Sequence, residues 1–555
     1  MRLKSIELYD DFRSLKSGFR LDFIKELPSN ENAIEPYCIV GRNGSGKSNI
    51  LELLSAIFFH VEVSCLEYLP KDIIIKINED EEEYEEREEL DIFQSFTTSP
   101  NAFKLEYYSH IDGKETLVTI EKRADEYRKV YLEGDSENLL DKKELQDQKR
   151  GILPENIIGY SSGQNEILSL PFYKMRLIQY DEYVDRYLAI GSHIDTHESR
   201  MIYLDDVFSQ AIFITNFIYT DEKVNKIFKE NVGVESVESF RIVIKYNLAT
   251  NIIVEKSNGL GKKLKLLNRQ VCDKINKLQS CATMQYKNKE TKELYLDYYL
   301  DDTVKEAFRL EFGEGKEGRL NLFQTFQILI NLNYYHIKKE TKLKLYNSGS
   351  LYAKGYLPLS PWNERFFGFK YFNLKKVGIK DTILSKSLSD GEYQFLHSIG
   401  LALIYRDTQS LFLLDEPETH FNPSWRAEYM SVLKECFSEV KTKAEFLITS
   451  HSPFIVSDTK ENNVILFEKG EQGSVERKDI PINTFGASVN EITNMVFGRY
   501  ETIGNISLQE VRDSLENINT IEDYLEAKQK LSKLGDSIEK FKAYNYLNRR
   551  KKEIE

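Results

Sequence analysis

Gly41-Arg42-Asn43-Gly44-Ser45-Gly46-Lys47-Ser48 follows the apolar run Tyr37-Cys38-Ile39-Val40 and precedes a segment with helical periodicity. Strand, glycine-rich loop and helix in that order read as a Walker A phosphate loop. Gly41, Gly44 and Gly46 let backbone N–H groups turn inward around phosphate oxygens, Arg42, Asn43 and Ser45 complete the loop, and the helix start adds the positive end of its dipole. Lys47 is placed to reach the β- and γ-phosphates and the Ser48 hydroxyl to ligate Mg2+. The expected ligands are therefore ATP and Mg2+.

Leu411-Phe412-Leu413-Leu414-Asp415-Glu416-Pro417 is an apolar strand run closed by two carboxylates, a Walker B pattern. Asp415 is expected to hold the Mg2+ through water and Glu416 to polarise the attacking water. Strand alternation would send the two side chains to opposite sides. Ser387-Leu388-Ser389-Asp390-Gly391-Glu392 leads into Phe395, Ile399, Leu401, Leu403 and Ile404. Taken alone, Ser389 and Gly391 would be an ordinary helix start offering a hydroxyl, free N–H groups and a dipole. Standing one helix before Walker B, the segment resembles the signature of the ABC-type ATPases. Phe446-Leu447-Ile448-Thr449-Ser450-His451-Ser452 fits the same family order, which makes His451 its switch histidine, facing the γ-phosphate. In family order, between Walker A and the signature, Ile157 to Glu166 falls where a Q-loop belongs. Gln164 is expected to orient metal or water, with Asn165 or Glu166 as alternatives and a plain Ser/Gly turn as the bland reading.

The chain has 555 residues, enough for two to four domains and a large core. Hydrophobic residues make up 41% and aromatic ones 12%, and no apolar run approaches the ~20 residues that span a bilayer. The N-terminal Met1-Arg2-Leu3-Lys4-Ser5-Ile6-Glu7-Leu8 alternates like a strand and lacks a signal-peptide core. The five cysteines, Cys38, Cys65, Cys272, Cys281 and Cys436, form no Cys-x-x-Cys pair, so neither a disulfide framework nor a zinc site is indicated. The cytoplasm is the expected compartment, with no membrane partner. A net charge of −14 argues against coating nucleic acid by bulk electrostatics but leaves local DNA contact open. Much of the excess lies in the run Asn78 to Glu89, which reads as a solvated loop.

Walker A ends at Ser48 and the signature begins at Leu388, so a segment is inserted between them. The expected organisation is an ATPase head part at 1–170, a mostly helical insert at 171–350, a second head part at 351–500 and a helical tail at 501–555. Phe103–Tyr108 and Thr116–Ile120 flank Asp112-Gly113, a hairpin turn signal, and fit an antiparallel lobe beside the nucleotide-binding core. In the insert, Val207, Ala211, Ile212, Ile214 and Phe217, and then Leu322, Phe323, Phe326, Leu329 and Ile330, repeat at helical spacing without a sustained heptad. His193-x-Asp195-x-His197 reads as a polar loop rather than a metal site. Tyr295, Tyr298, Tyr299, Tyr334 and Tyr335 read as helix packing rather than base stacking. Val464–Phe467 is one more strand, and the tail forms helices through Leu508, Val511, Leu515 and Ile518, then Leu531 and Leu534, then Ile538, Phe541 and Leu547, with a break at Gly535-Asp536-Ser537.

Head and tail together resemble the bacterial ABC-type defence ATPases related to RecF heads. Tyr160 to Glu166, Ser389 to Glu392 and Asp415-Glu416-Pro417-Glu418-Thr419-His420 are most similar to the PtuA ATPases of Septu and some retron systems. The resemblance implies an α/β P-loop NTPase fold: an ABC-type head with an antiparallel β lobe, an inserted helical subdomain and a helical C-terminal tail. It implies ATP hydrolysis, a homo-oligomer that is at least a dimer, an HNH nuclease of PtuB type on a separate chain, and in retron systems a reverse transcriptase with its RNA/DNA product. Asp390 departs from the transporter-type signature by placing a carboxylate near the phosphate site, so turnover is expected to be slow or conditional. A nuclease of the overcoming-lysogenisation-defect type would need an Asp-x-Asp pair after His451, and none follows. A RecF-like repair ATPase that binds DNA directly is the alternative.

Overall fold

The computed structural model describes residues 1–23, 34–66, 99–124, 128–147, 150–162, 168–190, 199–249, 252–255, 261–264, 268–337, 339–346, 361–438, 444–470 and 473–554. The acidic run at 78–89, Gln164 to Glu166 and the His193–His197 segment lie outside them.

The apolar runs of the motifs become the middle of a seven-stranded sheet, in the order Val475–Lys478, Val464–Lys469, Tyr37–Gly41, Glu445–Thr449, Ser410–Asp415, Asn156–Ser161, Met201–Tyr203. All neighbours pair in parallel except Val475–Lys478 on its edge. The central strands are buried along their whole length, as a parallel sheet covered on both faces requires. Their side chains alternate between two cores. Tyr37, Ile39, Leu411, Leu413 and Leu447 pack with the helix Lys47–Ser64 and the N-terminal lobe. Cys38, Val40, Phe412, Leu414, Phe446 and Ile448 pack with helices Ser209–Ile218, Asp390–Tyr405 and Pro423–Phe437.

The lobe is a five-stranded antiparallel sheet that begins with Arg2–Leu8 and contains the expected hairpin, Phe103–Ile111 with Lys114–Lys122. Asp112 and Gly113 both have positive φ, the backbone that a two-residue hairpin turn demands.

The insert is mostly helical, as expected, but it also contributes strands to a sheet. Its helices are joined by a second five-stranded antiparallel sheet, ordered Met284–Asn288, Glu293–Tyr299, Val234–Lys245, Phe367–Lys376, Ile383–Leu384. The expected boundary at 350/351 does not separate two units, because Phe367–Lys376 pairs with Val234–Lys245 across it. Nor does the one at 170/171: helix Ser169–Ile190 straddles it, and Met201–Tyr203 joins the head sheet. Insert and signature helix share one core, where Asn216 Nδ2 donates to Gly400 O at 2.9 Å and an added Cβ at Gly400 would stand 2.7 Å from Ile212.

Helices Asn505–Asp513, Ile521–Ser532 and Ile538–Ile554 form the tail and bury Val511, Ile518, Tyr524, Ala527, Leu531, Ala543 and Leu547 in a core of their own. Phe541, one of the apolar residues that mark the last tail helix in the sequence, points outward. Among the described residues, no helix is long and apolar enough to cross a membrane.

Candidate nucleotide site

The phosphate loop leaves its strand at Gly41, whose φ is +147° and where a Cβ would stand 2.2 Å from Phe467 O. Gly46, the N-cap of helix Lys47–Ser64, has φ +85° and meets Val475 and Ser14. Side chains are excluded at both positions, so the loop presents backbone. The Ser45 hydroxyl is buried inside it without a hydrogen-bond partner. A buried polar atom left open costs stability, and a phosphate oxygen is the partner such a loop is shaped to accept.

Lys47 is buried and its Nζ donates to the carbonyls of Gly41 and Arg42, each at 3.3 Å. Burial pulls its ammonium below the usual range, against the carboxylates of Glu416 and Asp415. Anionic phosphates would remove that penalty. Ser48 Oγ donates to Asp415 Oδ1 at 2.7 Å, and Thr449 Oγ1 donates to the same oxygen at 2.6 Å. Asp415 is fully buried at the end of its strand, and desolvation pushes its carboxyl up against those two hydrogen bonds. A carboxylate, a serine hydroxyl and phosphate oxygens are the donor set of a P-loop Mg2+, so Ser48 and Asp415 fit that ion.

Glu416 does not continue the strand. Its φ is +49°, uncommon for a non-glycine residue, and its N–H donates to Thr449 O and Oγ1 at 3.2 and 3.1 Å. This turn, rather than strand alternation, separates the two carboxylates. Glu416 Oε1 lies 3.2 Å from His451 Nε2, and the hydrogen bond from the histidine holds the carboxyl below its usual range despite partial burial. The residues expected to serve as switch histidine and water-activating glutamate are thus in direct contact.

Ser161 Oγ reaches Asp415 Oδ2 at 3.4 Å, and Ser162 Oγ donates to Thr419 Oγ1 at 2.8 Å. The strand meant to lead into the Q-loop therefore ends at the site, although Gln164 itself lies outside the described residues. Ser389 caps helix Asp390–Tyr405 in a capping box with Glu392. Burial alone would raise the Glu392 carboxyl, but Lys376 and the Ser389 N–H hold it down. Ser389 is exposed, whereas Gly391 is buried where a Cβ would stand 2.8 Å from His420 O.

Four contacts escaped the sequence reading. Thr449 pairs in register with Asp415, a relation visible only once the two strands are known neighbours. Glu418 is buried, accepts a hydrogen bond from Ser450 Oγ and is pushed by burial up to about 7. Phe497 lies against His451 with ring centroids 6.2 Å apart, and Gly498 O accepts from Arg42 Nη2 at 3.3 Å. The segment entering the tail thus touches both the phosphate loop and the switch.

The strand of the phosphate loop lies beside the switch strand, which lies beside Walker B, which lies beside the Q-loop strand. The head has the fold of an ABC-type P-loop NTPase. Residues 367–457 match the family described as "AAA domain, putative AbiEii toxin, Type IV TA system". The chain is 28% identical over 137 residues to the Septu protein PtuA of Bacillus thuringiensis, covering 24% of this chain and 33% of that one. It is 26% identical over 102 residues to the Septu protein PtuA of Bacillus mycoides (strain KBAB4), covering 18% of this chain and 14% of that one. The matched stretch thus spans a third or less of the length of these curated relatives. The SMC head domain from Thermotoga maritima aligns over 87% of this chain and 100% of its own at 12% identity with a TM-score of 0.33. At that score the strand order and motif geometry, not the superposition, carry the fold.

Proposed function

We propose that this ABC-type head binds ATP with Mg2+ and hydrolyses it as part of an antiviral (antiphage) defence assembly, acting as regulator or sensor for a separate HNH-type nuclease. The observation that carries the ATPase reading is the convergence of Ser48, Thr449 and Asp415 on one side of the Walker B turn and of Glu416 with His451 on the other. Lys47 and the loop N–H groups bind phosphate oxygens. Bound Mg2+ supplies charge neutralisation there, held by Ser48 and Asp415. Glu416 orients the attacking water, and His451 holds Glu416 ionised and in place.

The defence reading rests on the partial similarity to Septu PtuA, and the nuclease partner rests on it too. Ser389, exposed on the signature helix, is proposed to close the site of a second copy, giving at least a dimer. Mixed Lys47→Ala and Ser389→Arg chains should then recover one composite site per heterodimer. Full ATPase activity in a strictly monomeric preparation would refute that arrangement. The tail, proposed to hold the HNH chain, is tested by truncation before Ser507, which should spare ATP binding and abolish co-purification of that chain and protection against phage. Metal-dependent DNA cleavage by this chain alone would contradict the division of labour.

A further inference from the structure

The insert's five-stranded sheet buries one face, with Leu294, Leu296, Tyr298, Phe240, Ile242 and Ile244 in the core, and leaves the other partly exposed, Val243 and Lys245 being buried at its Trp362 end. Cross-strand register puts Tyr286 opposite Tyr295, and Asp297 opposite Arg241, which stands opposite Lys370, all on the open face. The rings of Tyr286 and Tyr295 stack at 6.1 Å with 30° between their planes. The Arg241 guanidinium lies over both Tyr295, at 5.6 Å, and Tyr371, at 5.3 Å. Arg241 is held by Asp297 through bonds of 2.5 and 2.7 Å. The result is a ladder of ring, ring, cation and ring across four strands. At its far end Trp362 folds over Gly368, with Lys370 at 4.5 Å and Lys245 at 5.2 Å from the indole.

Two features separate this face from ordinary sheet decoration. Tyr286 and Tyr371 remain 61% and 62% exposed, so the outer rings are available although the ladder positions them. Tyr371 sits at a register shift and holds φ +49°, unfavourable for a bulky side chain. Such bulges re-aim side chains, and this one sets Tyr371 beside Arg241 on the same face as Lys370.

We propose that this open face binds single-stranded nucleic acid, bases stacking on Tyr286 and Tyr371 and phosphates meeting Lys370 and the neighbouring cations. Flat rings interleaved with guanidinium and ammonium groups on an antiparallel sheet suit unstacked bases on a sugar–phosphate strand. The occupant follows from charge. Trp362 to Lys376 carries Arg365, Lys370, Lys375 and Lys376 against Glu364, with Lys376 paired to Glu392, in a chain whose net charge is −14. A polyanion is drawn to this strip and repelled by much of the remaining surface. Four strands at about 4.8 Å spacing give room for about two or three bases, the number that sheet platforms of this kind stack. DNA and RNA share the required chemistry, since the platform reads ring faces and phosphates.

The test is fluorescence anisotropy on the full-length chain with fluorescein-labelled oligothymidylate, oligouridylate and a blunt duplex, at two salt concentrations. The proposal expects salt-dependent binding of one or both single strands, weaker binding of duplex, and at least about a tenfold loss in the Tyr286→Ala/Tyr371→Ala double variant. The Tyr286→Phe/Tyr371→Phe variant should retain binding, because stacking needs the ring and not the hydroxyl. Circular dichroism melting of the Ala variant should match the parent, since both rings face solvent. The Lys47→Ala chain should bind the oligonucleotides as the parent does, which separates this site from the nucleotide site. No binding by the parent, equal preference for duplex, an Ala variant that binds unchanged, or a face whose loss abolishes a protein complex while leaving oligonucleotide binding intact would overturn it.

Discussion

The two central sheets keep their chemistry in opposite places. The parallel head sheet is covered on both faces, so its candidate site groups appear where strands end: Gly41, Ser161, Asp415 and Thr449 stand at the carboxyl ends of four adjacent strands. The antiparallel insert sheet is covered mainly on one face, so its candidate binding groups lie along the strands, on the side away from the core. A buried sheet can aim only its edges and a half-open sheet can present an area. The first suits a small ligand enclosed by loops, the second an extended one.

The largest effect that sharpens this contrast is catalytic. Glu416→Gln should lower ATP turnover by about a hundredfold or more while nucleotide binding by calorimetry persists, since Lys47, Ser48 and Asp415 are untouched. Lost affinity instead would make Glu416 structural. Next comes stability. Leu413→Ala, in a strand covered on both faces, should cost about 2–5 kcal/mol in urea unfolding, whereas Tyr286→Ala should stay within about 0.5 kcal/mol. Comparable losses at the two positions would abolish the distinction between the sheets.

Glu418 supplies a smaller effect with a definite sign. Its folded-state carboxyl, pushed up to about 7, lies above the ordinary glutamate value of 4.5. The folded chain therefore holds a proton that the unfolded chain releases, and this contribution is present below about 4.5 and is lost as pH rises to about 7. Linkage bounds it at about 3 kcal/mol. Glu418→Gln, which cannot ionise, should gain stability relative to the parent at pH 8 more than at pH 5, read as the difference in melting temperature. An equal shift at both values would show that the carboxyl titrates normally. The smallest effect is at the tail junction. Gly498→Ala places a Cβ 1.7 Å from Arg42 Nη2 at φ +66° and should change nucleotide affinity severalfold without altering the tail helices.

The head was legible because its motifs are local. Residues 41–48 contain the strand exit, the loop and the helix start within a span that needs no distant partner, and Asp112-Gly113 likewise dictates its own turn. The insert sheet was not legible, for a reason visible in Val234–Lys245. Its apolar residues at 234, 237 and 240 recur every third position, as on a helix, because the strand pairs irregularly with Phe367–Lys376. Tyr295 and Tyr299 were read as packing for the same reason, since without a sheet there is no open face to assign them to. Tyr298, one residue away, does pack, and its hydroxyl donates to Leu278 O.

What the sequence determined by itself was the chemical kit: a lysine and a serine on a phosphate loop, paired carboxylates ending a strand, a histidine ending another, and a capped helix before them. Tertiary structure decided their relations. Thr449 reaches Asp415, Glu416 turns back to His451, and Phe497 and Gly498 close on the switch and the loop only because strands and segments far apart in the chain become neighbours. Periodicity records which faces are buried. It does not record which strand lies beside which, and that adjacency sets both the site's geometry and the face left open.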